Sequence, residues 1–194
     1  MEFNEKELVS RSKAGDNRAF EELVKRYQRK VFGIAYGIVR DPEGASDVCQ
    51  ETFLRAFKSL SKFKGDSKFY TWIYRIAVNM SIDYVNKHKK DPVLFNDDTN
   101  MLEKIDWDVS TSKPINPIKS LDVKELGTLI NNGLQKLSEN HRAVIILREV
   151  EGLSYNEIAD VLKCNKGTVM SRLFHARSKM KTMLQAYLDG EETK

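Results

Sequence analysis

Apolar residues recur every three or four positions through most of the chain, and nowhere do they alternate long enough to suggest a sheet. From about Asn17 to Val39 the stripe runs Phe20, Leu23, Val24, Tyr27, Val31, Ile34, Ala35 and Ile38. Asp41-Pro42 predicts the next helix start, because Asp caps free amides and Pro at the first helical position loses no hydrogen bond. That helix reaches about Ser61. One side carries Ala45, Val48, Cys49, Thr52, Phe53, Ala56 and Leu60, a buried stripe. The other carries Asp47, Gln50, Glu51, Leu54, Arg55 and Lys58, with Leu54 a single apolar side chain among charges. The run Lys62–Ser67 breaks the pattern, and a long helix resumes through Phe69, Trp72, Ile73, Ile76, Ala77 and Met80 to about Lys90. Phe69, Trp72 and Ile76 are assigned to its core side, which leaves Phe63, Lys64, Tyr70 and Tyr74 off the stripe.

In the C-terminal part, Leu121–Leu134 and His141–Val150 read as helices, the second closed by Gly152. Ser154-Tyr155-Asn156-Glu157 is a capping box and predicts a helix from Tyr155 that buries Ile158, Ala159 and Leu162. After a break at Lys163–Gly167, a second helix turns Val169, Leu173, Ala176 and Met180 inward. Its outward positions are then Thr168, Ser171, Arg172 and His175, with Met170 and Phe174 at the edges. Two short helices around a tight polar turn make a helix-turn-helix, whose second helix enters a major groove. The fold expected is all-α, with helical domains at residues 1–90 and 121–194. Residues 91–120 hold three of the four prolines and no helical period, so they read as a flexible linker.

The chain has 194 residues, 41% hydrophobic and 31% charged, and no apolar run near the roughly 20 residues that would span a bilayer. Residues 1–13 alternate charges and lack a signal-peptide core, so the expected location is cytoplasmic, without membrane insertion. Cys49 and Cys164 form no CxxC pair and read as small packing residues, and His88, His141 and His175 stand apart. No metal set, cofactor site or nucleophile–base pair is readable, which argues against an enzyme. Net charge is only +4, but its placement is uneven. From Val161 to Leu188 there are six Lys/Arg and no acid, a bias that favours phosphate contact over a merely basic helical hairpin. From Phe53 to Ile82 there are six Lys/Arg and only Asp66, interleaved with Phe57, Phe63, Phe69, Tyr70, Trp72 and Tyr74. Stacking faces beside cations suit single-stranded nucleic acid.

Three segments in order, DVCQETFLRAF (Asp47–Phe57), KFYTWIYRIAVN (Lys68–Asn79) and GLSYNEIADVLKCNKGTVMSRLFHAR (Gly152–Arg177), resemble the extracytoplasmic-function sigma factors of bacterial RNA polymerase, sigma-E-like in type. The resemblance implies a sigma-two domain over 1–90, a linker over 91–120 threading the polymerase near the RNA exit path, and a sigma-four domain over 121–194. It implies that Asp47, Gln50, Glu51, Leu54, Arg55 and Lys58 dock on the core-polymerase clamp. It assigns Phe63, Lys64, Gly65, Asp66, Ser67, Tyr70, Tyr74, Arg75 and Asn79 to minus-ten DNA, duplex and melted non-template strand. Phe63, Gly65, Asp66, Ser67 and Asn79 would form the pocket for a flipped base. Lys166, Thr168, Met170, Ser171, Arg172, Phe174, His175 and Arg177 go to the minus-thirty-five element. Arginine is common in the family where Met170 and His175 stand. An anti-sigma factor, releasing the protein on an envelope or stress signal, is the further implied partner. A sigma-like decoy that binds only an anti-sigma factor, and an ordinary helix-turn-helix repressor, are the competing readings.

Overall fold

The structure, a computed structural model, describes residues 4–88 and 123–191. The N-terminal half comprises α1 (Glu5–Lys13), α2 (Asn17–Val39), α3 (Pro42–Ser59) and α4 (Phe69–His88), with a 3-10 turn at Leu60–Lys62. The C-terminal half comprises α5 (Val123–Gln135), α6 (Glu139–Ile145), α7 (Tyr155–Leu162) and α8 (Lys166–Glu191), with a π-helical turn at Ile146–Val150. No strand occurs among the described residues, and none of their helices is long and apolar enough to cross a membrane. The proposed linker, 91–120, lies outside the described residues.

The sequence pattern gave no sign of α1, whose charges mask two buried apolar positions, Leu8 and Val9. Tertiary bonds hold it: the Tyr27 hydroxyl donates to Glu5, and Arg11 pairs with Asp16 at 2.7 Å. Asp16 in turn caps α2, accepting from the Ala19 amide at 3.2 Å. Asp41 caps α3 through the Gly44 amide at 2.6 Å, as its position before Pro42 predicts. The inward set of α3 is the expected one, with Cys49 half-buried and the Thr52 hydroxyl satisfied by the Val48 carbonyl at 2.7 Å.

The buried arc of α4 is wider than one stripe, because α2 and α3 pack on one side and α7 on another. Its centre is Phe69, Ile73, Ala77 and Met80, joined by Tyr74 and Val78, while Trp72 and Ile76 are only half-buried. Tyr74, expected off the stripe, is therefore core: it is 2% exposed. In α7 the buried pair is Ile158 and Val161, with Ala159 and Leu162 half-buried, because α7 too is covered from two sides. The inward face of α8 is as expected at Val169, Leu173 and Ala176, with Met180 half-buried.

The halves share one apolar core, running from Ile34, Ile38, Ile73 and Tyr74 into Ile146, Leu147, Ile158 and Val161. Ile146 seats against Gly37, where a Cβ would collide with its side chain. Arg142, 6% exposed, fastens this seat. It donates to the Ile38 carbonyl at the end of α2 and, at 3.0 Å each, to the carbonyls of Leu134 and Leu137. Unpaired carbonyls at helix ends carry partial negative charge, which offsets the cost of burying the guanidinium.

Candidate nucleic-acid interface

Three surfaces collect the candidate residues. On α3, Asp47, Gln50, Arg55 and Lys58 are exposed, Glu51 is half-exposed and paired with Arg55 at 3.2 Å, and Leu54 is 52% exposed. Phe57, one turn on from Leu54 and Phe53, is also exposed, with one edge against Phe20 at 5.0 Å. The face is thus polar around a small apolar patch, the layout of a protein interface with a desolvated centre.

The second surface is the loop between α3 and α4. Phe63, expected to stack on a base, is 8% exposed and packs on Trp72 at 5.0 Å and Phe69 at 6.0 Å. It anchors the loop, because the 3-10 turn folds the chain back over the start of α4. Lys13 holds the same point from α1, donating to the Phe63 carbonyl at 2.8 Å. Lys64, Gly65 and Asp66 are exposed beyond this anchor, and Gly65 turns with φ +84, a left-handed conformation that glycine adopts without strain. A cleft of about 700 Å³ opens here, walled by α1, residues 63–69 and the Glu157–Asp160 edge of α7. Asn79 is exposed but does not line this cleft: it sits roughly 15 Å further along α4, at 1.5 Å rise per residue.

Residues at the start of α4 meet the C-terminal half instead of solvent. The Tyr70 hydroxyl donates to Glu157, and Lys68 Nζ lies 3.4 Å from the same oxygen. Tyr74 donates to Glu151 at 3.0 Å, and Arg75 Nε donates to the Asp160 carbonyl at 3.0 Å. The Tyr70 bond, then the Ser154 amide and hydroxyl, draw the Glu157 carboxyl down to about 2. Burial pushes the Glu151 carboxyl up against the opposing Tyr74 bond.

The third surface is the outer face of α8. Asn165 Oδ1 accepts from the Thr168 amide at 2.7 Å and hydroxyl at 3.0 Å, which fixes the helix start and occupies the Thr168 hydroxyl. Lys166, Met170, Ser171, Phe174 and His175 are exposed, Phe174 at 69%, and Arg172 is half-exposed. Arg177 is engaged by Glu149 at 2.6 Å. His141 on α6, not singled out in the sequence, stands 6.5 Å from the His175 ring. Burial, with Arg172, His175 and Lys179 nearby, lowers its pKa below the ordinary imidazole value, which keeps it uncharged at neutral pH. Spacing carries no signal for His141, since α6 and α8 meet only in the fold. Cys49, whose thiol burial pushes up to about 11, is no nucleophile.

Residues 23–91 match the Sigma-70 region 2 family and residues 129–180 the Sigma-70, region 4 family. The RNA polymerase sigma-H factor of Pseudomonas aeruginosa is 38% identical over 184 residues, 95% of each chain. The ECF RNA polymerase sigma-E factor of Escherichia coli K12 is 39% identical over 179 residues, 92% of this chain and 93% of that one. Among solved structures, CnrH in complex with the cytosolic domain of CnrY superposes with a TM-score of 0.70 at 26% identity, covering 94% of this chain and 97% of that one. The sigma factor RpoE of Bartonella quintana, in complex with the anti-sigma factor NepR, has the same fold, with a TM-score of 0.58 at 24% identity over 86% of this chain and 96% of that one.

Proposed function

The chain belongs to the extracytoplasmic-function sigma factors of RNA polymerase, and from that premise we propose how its surfaces divide the work of promoter-specific initiation. Residues 1–90 form the polymerase-binding and minus-ten domain, 91–120 the linker and 121–194 the minus-thirty-five domain. The α3 face docks on the clamp with Leu54 as its anchor. Lys64, Gly65, Asp66 and Ser67 line the cleft that takes an unstacked minus-ten base, with Phe63 supporting the loop from beneath and Lys68, Tyr70 and Arg75 holding the strand. Met170, Ser171, Phe174 and His175 face base edges of the minus-thirty-five duplex, while Lys166 and Arg172 hold phosphate. The protein acts by binding, not catalysis, in the cytoplasm. An anti-sigma factor as antagonist is supported by the likeness to CnrH, which is seen joined to a second protein.

The observation that carries this reading is the outer face of α8, with Phe174 and Met170 exposed beside Ser171 and His175 above a buried stripe. Reconstitution with core polymerase tests it. The chain and core enzyme together should give run-off transcripts from selected genomic fragments, and neither should alone. Tight sequence-specific duplex binding by the isolated chain, with no retention of polymerase, would instead make it an ordinary repressor.

A further inference from the structure

We infer that in the free chain the minus-ten surface is occupied by the chain's own helix-turn-helix half, with the Glu157 carboxylate of α7 standing where a strand phosphate would bind. The inference rests on the minus-ten reading of Lys68, Tyr70 and Arg75.

The geometry makes the carboxylate a stand-in anion. One oxygen of Glu157 caps its own helix, accepting from the Ser154 amide at 2.9 Å and hydroxyl at 2.7 Å. The other crosses to the N-terminal half and accepts from Tyr70 and Lys68. A phosphate oxygen presents the same chemistry to such donors, an anion that only accepts. Next to it, the Asp160 carbonyl takes the Arg75 guanidinium, and Glu151 takes the Tyr74 hydroxyl. Lys68 and the first two turns of α4 are thus engaged by one edge of the other domain, and the same edge walls the loop cleft.

The occupancy is one-sided. Met170 and Phe174 remain 51% and 69% exposed, so the duplex-reading face stays open while Tyr70 and Arg75 of the strand-binding face are engaged. A protein closed in this way meets duplex DNA but is not ready to hold a melted strand. Opening frees the donors, and strand phosphate and α7 compete for them. The apolar seat of Ile146 on Gly37 and the Arg142 bond to the end of α2 hold the closed form independently of Glu157.

The test uses the full chain and three variants. Glu157→Gln keeps a capping residue at its helix position and removes the charge that crosses. Gly37→Leu blocks the Ile146 seat with a good helix former, far from the Glu157 contacts. Asp160→Asn removes an equal charge from the same edge, but the Arg75 bond goes to its backbone, so that bond is kept. Solution scattering and hydrogen exchange of α4 and α7 report closure. Binding of a fluorescent single-stranded minus-ten oligonucleotide reports access. Glu157→Gln and Gly37→Leu should each expand the particle and tighten the oligonucleotide by about three- to tenfold, and Asp160→Asn should do neither. Unchanged dimensions and affinity in both opening variants would overturn the inference. An equal gain in Asp160→Asn would overturn it too, by reducing the effect to general charge repulsion. Expansion with no oligonucleotide binding in any variant would overturn the minus-ten assignment itself, and the competition with it.

Discussion

Phe53 and Leu54 are adjacent in the chain and have opposite environments, the first 8% exposed in the core and the second 52% exposed on the α3 face. Phe53→Ala should therefore cost roughly 3–5 kcal/mol of stability, the usual range for truncating a core aromatic. Leu54→Ala should leave the melting temperature within a degree or two and weaken core-polymerase binding by about 1–3 kcal/mol. Thermal melts and a polymerase retention assay check both. Phe63 falls on the Phe53 side of this contrast. Because it is wedged between Phe69 and Trp72, Phe63→Ala should lower the melting temperature as well as promoter opening, whereas Lys64→Ala should affect opening alone. Permanganate footprinting beside a melt separates the two. On α8, Met170 and His175 stand where arginine is common in the family, and neither Met nor His reproduces the bidentate contact of Arg to guanine. Met170→Arg and His175→Arg should each move the promoter preference at one or two base pairs, read by selection from a randomised minus-thirty-five element.

Among the helices, start signals and the main apolar stripes were legible, and the further width that a second partner adds to a buried arc was not. Helix α3 shows its cap, Asp41, and its stripe in the sequence, and α2 shows its stripe, because the apolar positions of each recur at helical spacing. The capping box of α7 was legible as well. For α4 the stripe placed Trp72 and Ile76 against the core correctly and missed Tyr74, since a second partner, α7, widens the buried arc in a direction that local periodicity does not encode. Helix α1 was invisible because it has only two buried apolar positions, the adjacent Leu8 and Val9, too few to show a helical period among its charges. The same limit hid Arg142, which in the sequence is one more charge on a helix and in the fold is buried at two helix ends. Arg142→Met should be destabilising by roughly 1.5–3 kcal/mol for each charged bond left unmade, and a denaturant titration should show the loss with both halves affected.

Across the whole molecule, the contact between halves makes stability depend on pH through two glutamates of opposite sense. The bonds to Glu157 hold its carboxyl at about 2 in the fold against 4.5 when free. A depressed carboxyl contributes stability that is complete above its free value and is lost as the pH falls through the folded one. The stability gap between the natural chain and Glu157→Gln should therefore be full at neutral pH and close between about 4.5 and 2. Glu151 is raised by burial, so its ionised form is the costly one, and Glu151→Gln should be more stable than the natural chain at neutral pH and lose that advantage as the pH falls and Glu151 takes up its proton. Equilibrium unfolding of both variants over that range checks the signs. Gly37 has a different kind of consequence. It lies in the last turn of α2, and its backbone is not in the left-handed region that would call for glycine. Nothing within the N-terminal half requires it; only the isoleucine arriving from the other half does. The two positions should therefore drift together over descent. Relatives that carry a side chain at the place of Gly37 should carry something smaller than isoleucine at the place of Ile146, and lineages that break this pairing should be those whose halves no longer close.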